Sequence, residues 1–375
     1  MKNLSPAFFL ACSWFWCIGG FFPVLLYYDF GPISFYTFFL FNVLGATLFG
    51  LILNARSQTR LLKSLLPSAR MFSVVVAGYH VVFMSWISGL MQSIYPMFGF
   101  LMATSIFFFF RRHLFILSIA VFAVTITLFA FALLQLPPSQ TLPSSSTGFI
   151  HYILPLAFGF LLAPYFDLTF HRAFMQSTKP KRVFLVGLGG LFSVLLLCMY
   201  FVIPILIPLL TLQELSQPVF YLMVILLIVQ TAFTTAAHLH ELSETQRLNA
   251  KYLIPSIIFI ITLCSVQFGV SLLSPALSFS AGEWIYRSFL FVIGVVFPVL
   301  LIFDGVNRNA WIAMLILTPC YVLGFLISVS FAPLLSLGMV GLAIVKIVAT
   351  KRGVPLASDI NAGQTQHSNS RKNTL

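Results

Sequence analysis

Long apolar runs alternate with short polar breaks along almost the whole chain. A helix needs about 20 apolar residues to cross the hydrocarbon core of a bilayer. Twelve runs approach or reach that length: roughly 5–28, 32–54, 71–90, 94–110, 114–135, 149–166, 183–209, 219–237, 252–273, 285–303, 310–329 and 331–349. They are too uniformly apolar for the alternating strands of a barrel, so helices are the expected spanning form. The stretch 71–110 has no charged break before its end. As one helix it would be about 60 Å long at 1.5 Å per residue, so a split is expected near Met91-Gln92-Ser93. Very little separates the last two runs.

Composition names the solvent. The chain is 60% hydrophobic and 7% charged, with mean hydropathy +1.03, whereas an ordinary soluble domain carries about 25% charge. Water cannot be the solvent for 375 residues of this kind. The expected fold class is an all-α membrane protein with about 12 transmembrane helices. Residues 1–352 form one membrane domain, and 353–375 form a polar, disordered cytoplasmic tail.

Charge placement gives the orientation. With the runs threaded back and forth, the Lys and Arg residues fall on one side. The connections on that side hold Arg56, Arg60, Lys63 and Arg70; Arg111 and Arg112; Arg172, Lys179, Lys181 and Arg182; Arg247 and Lys251; and Arg308. Lys2 and the C-terminal Lys346, Lys351, Arg352, Arg371 and Lys372 join them, and Arg287 is the exception. By the positive-inside rule both termini are cytoplasmic, in an inner or plasma membrane. The net charge of +12 is therefore mostly topology. Basic residues scattered over short loops, with no aromatic-lined groove, give no nucleic-acid surface. Cys12, Cys17, Cys198, Cys264 and Cys320 lie within runs, with no disulfide or metal-ligand spacing. The first run is longer than a signal-peptide core and is kept as a span.

Two runs are interrupted. The first reads Trp14-Phe-Trp-Cys-Ile-Gly19-Gly20-Phe21-Phe-Pro23, and the sixth carries Gly159, Pro164, Asp167, His171 and Arg172. Gly costs a helix about 1 kcal/mol and Pro about 3 relative to Ala. Interrupted segments at matching places in two halves point to a transporter site. Runs one and six are five apart and cross in opposite directions, as two inverted repeats over 5–135 and 149–303 require, followed by two C-terminal helices. The competing explanation is close helix packing, for which membrane proteins use Gly freely. In run eight, Thr231, Thr234 and Thr235 share one helical face. Their hydroxyls could ligate a small cation, or simply bond back to carbonyls one turn earlier.

These residues together resemble the leucine-transporter fold of the amino acid–polyamine–organocation superfamily. The stretches Leu162–Arg172 and Gln230–Ala237 are faintly similar to sodium:solute symporters. The resemblance implies unwound core helices one and six, and a sodium site between core helix one and a hydroxyl pair on core helix eight. Carried onto this chain, ion-binding residues are Trp16, Gly19, Gly20, Thr231, Thr234 and Thr235. Expected substrate contacts are Trp14, Phe21, Tyr79, His80, Gly159 and Pro164. Asp167 and Arg172 form an expected inner gate, in which Asp167 pairs with Arg172 or with a base in 54–70; a solvated loop position is the plain alternative for Asp167. His80 is either a core residue bonded to a carbonyl or a titrating substrate contact. Asn42, Gln92 and Gln267 are expected interhelical hydrogen bonders, and Glu283 and Arg287 a local pair one turn apart.

The expected function is secondary active transport of a small organic solute, an amino acid or similar metabolite, coupled to Na⁺ first and H⁺ second. No other cofactor is implied, and the partners are the solute and the bilayer. Alternatives are a lipid or polysaccharide flippase and a six-plus-six facilitator, although 54–70 lacks the facilitator's acidic-Arg-Gly signature. No enzyme is expected, because hydrolase and zinc-protease motifs are absent. His238 and His240, two residues apart, do not share a helical face and so make a poor metal pair.

Overall fold

A computed structural model of the chain describes residues 3–135, 148–211, 218–244, 275–303, 305–327 and 331–351. It is about 91% helical and has no strands among the described residues. Among the described residues, seven helices are long and apolar enough to cross a membrane, or up to nine if each of two bent pairs counts as one span. Large apolar side chains stand out from the bundle, among them Leu134 (81% exposed), Tyr95 (79%) and Phe109 (77%). Water would penalise so many exposed apolar groups, and lipid does not.

The elements in order are α1 (Leu4–Trp14), α2 (Cys17–Gly20), α3 (Phe22–Phe30), α4 (Pro32–Ile52), α5 (Ala55–Leu90), α6 (Tyr95–Phe109) and α7 (Leu114–Leu133). After residue 147 come α8 (Ile153–Leu162), α9 (Leu168–Gln176), α10 (Pro180–Phe184), α11 (Ser193–Thr211) and α12 (Pro218–Glu244). The last are α13 (Pro275–Phe291), α14 (Phe297–Ile302), α15 (Arg308–Tyr321) and α16 (Ala332–Lys351). Wider π-helical turns at Leu185–Phe192 and Val292–Val296 join α10 to α11 and α13 to α14. The run expected at 252–273, with Gln267 and Cys264, lies outside the described residues, as do the tail and Asp304.

The split of 71–110 falls where chain length demanded it. α5 ends at Leu90, Gln92 adopts a positive φ of 48°, and α6 begins at Tyr95. Gln92 bonds the Gly89 carbonyl of its own turn, so its side chain does not make the expected interhelical bond there. The stretch 54–70 is not a loop. Asn54 caps α5 in a reciprocal box with Ser57, and the helix runs on from Ala55 into the bundle. A cap of this type stabilises a helix start by about 1 kcal/mol.

α12 is the hub. It packs on α5, α6, α7, α1, α2 and α9, and every residue from Gln230 to His238 is buried. Small residues permit the closest crossings. A Cβ on Gly45 of α4 would lie 2.2 Å from the Phe160 carbonyl oxygen of α8, and one on Gly187 would lie 2.7 Å from the Ala7 carbonyl oxygen of α1.

Candidate functional site

Two helices bend sharply, by 69° between α1 and α2–α3 and by 47° between α8 and α9. Both bends are in the interrupted runs, but the first is not at the glycines. Backbone bonding holds Gly19 and Gly20 inside α2, with Gly20 N–H donating to the Trp16 carbonyl at 2.8 Å and Phe21 N–H to the Cys17 carbonyl at 2.8 Å. The sharp turn lies earlier, at Phe15 and Trp16, where Trp16 leaves helical conformation (φ −52°, ψ −162°). Pro23 stands at the start of α3, where its missing N–H and fixed φ are tolerated. The two glycines serve packing: a Cβ on Gly20 would lie 2.9 Å from Leu227 of α12.

The second bend follows from Pro164. α8 stops at Leu162, a tight 3-10 turn spans Ala163–Tyr165, and α9 restarts at Leu168. Asp167 is its N-cap. One carboxylate oxygen accepts from Thr169 N–H at 2.7 Å and from the Thr169 hydroxyl at 2.7 Å. His171 reaches back to the Tyr165 carbonyl through Nε2 at 3.0 Å, which leaves Nδ1 to accept from the Gln58 amide at 2.9 Å. Side chains of the protein therefore satisfy a peptide group at this break.

The two bends meet. The Thr169 and Ser13 hydroxyls stand 3.5 Å apart, and the rings of Trp14 and Phe170 lie 4.8 Å apart. α12 touches both: Thr234 donates to the Cys12 carbonyl at 3.2 Å, and His238 Nε2 lies 3.9 Å from Asp167 Oδ2. Thr235 donates to the Thr231 carbonyl at 2.7 Å and contacts His80 Nδ1 at 2.6 Å. Because the hydroxyl proton is committed to Thr231, His80 carries its proton on Nδ1 and presents a bare Nε2. That nitrogen and the Thr231 hydroxyl are buried without a hydrogen-bond partner.

The residues expected to act together divide into groups. Trp16, Phe21 and Tyr79 line a cavity of about 30 Å³ beside the first bend, with Trp86, Phe289 and Tyr286. Trp14 faces away from it, donating its indole N–H to Asn42 at 2.5 Å. His80 stands behind Trp16, with ring centres 4.5 Å apart. Gly159 packs on Ile293 and Gly294 instead. Pro164 is buried in the 3-10 turn. The hydroxyl cluster meets Cys12 of α1; Gly19 and Gly20 lie further along, in α2.

Asp167 and Arg172 do not pair. Arg172 is bonded to Glu241 at 2.9 Å, and Asp167 is fully buried in the protein rather than solvated. On the other side, Arg287 reaches Glu283 at 3.1 Å, as their spacing suggested, but also Asp29 at 3.5 Å and the Phe325 carbonyl at 3.0 Å. Tyr286 also bonds Asp29. The cluster thereby ties α3, α13 and the segment after α15 together.

Sequence reasoning gave no site role to Cys12, Ser13, Ser73, Thr169 or Glu241, and weighed His238 only as a poor metal ligand beside His240. One signal was available for His238: it stands four residues after Thr234 and so shares its helical face. The chain matches no protein-family model, no curated protein and no solved structure.

Proposed function

We propose that the protein is a secondary active transporter that moves a small organic solute by alternating access. Its twelve spans form two inverted five-helix repeats and two C-terminal helices, with both termini in the cytoplasm of a cell bounded by this inner or plasma membrane. A monovalent cation, Na⁺ before H⁺, drives the cycle from a position between α1 and α12.

The observation that carries this reading is the meeting of two bent helices on a common third one. Cys12, just before one bend, and Asp167, at the other, both face α12. Bent helices of this kind can pivot without breaking their neighbours' packing, and irregular backbone in a membrane is tolerated where it is enclosed by protein. The Thr234 hydroxyl and Cys12 carbonyl are neutral oxygens 3.2 Å apart, the donor type that suits Na⁺. Thr231 adds a buried hydroxyl without a partner. In this reading the solute position opens from the aromatic cavity beside Trp16, which at about 30 Å³ is closed down to the size of one water here, and its almost wholly apolar wall favours a solute with an apolar body. Arg287 with Asp29 closes one end, and Arg172 with Glu241 the other.

The test has two steps. Thermal stabilisation of the purified protein across a metabolite library, in sodium or in choline, identifies a solute. Uptake of that solute into proteoliposomes then collapses in the Thr234→Ala, Thr235→Ala double variant, while membrane insertion is intact. Unchanged uptake in that variant removes the ion position.

A further inference from the structure

Asp167 and His238 form a pair that the proposed ion position does not use. Both side chains are fully buried. Thr169 takes one carboxylate oxygen of Asp167, and the other faces His238 Nε2 with no hydrogen-bond partner. Nε2 also has none, and the gap is 3.9 Å. His238 Nδ1 contacts the Ser73 hydroxyl at 3.0 Å. Two bare lone pairs would repel across such a gap, so at least one proton lies between these atoms, on the imidazole or on the carboxyl.

Charge balance calls for one more. A carboxylate buried this fully in protein needs a counter-charge or a proton. Arg172, the cation that follows on α9, is engaged with Glu241. The other titratable groups facing the pair are His80 on α5, His171 on α9 and Glu241 on α12. On α1 the Ser13 hydroxyl stands 3.5 Å from Thr169, and Cys12 is buried nearby against α12. Arg70, one turn before Ser73 on α5, has a buried Nε without a partner but makes no ion pair with Asp167, so without a cation bonded to it the pair is neutral only with an imidazolium facing the carboxylate or a protonated carboxyl facing the imidazole.

We infer that Asp167 and His238 bind one exchangeable proton between α9 and α12, at a position separate from the Thr234–Cys12 oxygens. The gap is too long for a hydrogen bond and about 1 Å longer than a charge-assisted one. Loading the proton on His238 draws the start of α9 toward α12, and releasing it lets them part. The coupling of that movement to solute rests on the transport reading; the proton site itself does not.

The experiment is pH-difference infrared spectroscopy of the full-length protein reconstituted in sodium-free choline buffer, scanned downward from about pH 9 to the lowest pH at which gel filtration shows the protein folded. The expected result is one imidazole–carboxyl titration step in the wild type. It is lost in Asp167→Asn, which keeps an oxygen to cap Thr169, and lost in His238→Gln. Gel filtration and thermal unfolding show whether each variant is folded, and either one alone suffices for the test. A wild type with no such step, or a step that persists in a folded variant, overturns the inference. The two readings fail separately: the step without any solute uptake ends the transport reading only, and uptake without the step ends the proton site only.

Discussion

Replacing Gly45 with Ala tests the packing that holds the second bent helix. The added methyl would sit 2.2 Å from the Phe160 carbonyl oxygen, 2.6 Å from Leu161 Cα and 2.9 Å from the Phe160 carbonyl carbon. Ordinary contact is about 3.5 Å, so α4 and α8 must part by roughly 1 Å. The obstructing atoms are backbone, which cannot swing aside as a side chain can, and the penalty belongs at the upper end of the roughly 1–3 kcal/mol for overpacking. Ala returns about 1 kcal/mol of helix propensity, which leaves a net loss of about 2 kcal/mol. Gly341 is the control, because a Cβ there meets nothing within 4 Å, so Gly341→Ala should gain up to about 1 kcal/mol. The two variants then differ by roughly 3 kcal/mol, or ~3–6 °C in unfolding temperature for a chain of this length. Thermal unfolding in detergent, followed by tryptophan fluorescence, measures the difference. If Gly45→Ala melts with or above Gly341→Ala, α4 does not cross α8 as described, and the support beneath the second bend is wrong.

Other consequences follow from the same geometry. Asp167→Ala removes the acceptor of two Thr169 hydrogen bonds and should destabilise the protein by about 1–2 kcal/mol, with Asp167→Asn restoring most of it; thermal unfolding of the three proteins decides. Arg287→Gln cuts the links to Glu283, Asp29 and the Phe325 carbonyl. Each loss of about 1.4 kcal/mol from the closed state raises the open population tenfold, so alkylation of Cys17 in the cavity wall, read by mass spectrometry of its peptide, should speed up at least about tenfold. An unchanged rate would show that the cluster does not close that end. Thr234→Val should cost stability only modestly, about 0.6 kcal/mol as for a typical hydrogen bond between membrane helices, yet abolish sodium-dependent stabilisation of the purified protein; retained sodium dependence would move the ion elsewhere.

The apolar runs made most of the helices legible, because bilayer thickness sets their length and lipid forbids unsatisfied backbone. The break at Met91-Gln92-Ser93 was legible for the same reason. The bend at Pro164 could be read too, since Pro lacks an N–H and its ring crowds the preceding turn. The bend at Phe15 and Trp16 could not. Neither residue disfavours a helix strongly, and the turn depends on tertiary partners such as Asn42 for Trp14 and His80 for Trp16. Gly19-Gly20 drew attention to the right run but to a helical turn packed on Leu227. Asp167 and Arg172 looked like partners because they lie close together in sequence. In space Arg172 turns to Glu241, 69 residues away, and leaves Asp167 to a histidine from another helix. Pairings between distant segments have no local signature, so the groups at the bends emerged only with the fold.

The central claim is that the space beside the first bend opens to one side of the membrane at a time, under control of an ion. Side-specific labelling of Cys17 tests it most directly, with a membrane-impermeant thiol reagent applied to oriented proteoliposomes in sodium and then in choline. The account predicts labelling from a single side in each buffer, with the rate or the side changed by sodium and that change lost in the Thr234→Ala, Thr235→Ala variant. Equal labelling from both sides at once, or identical rates in the two buffers, would contradict it.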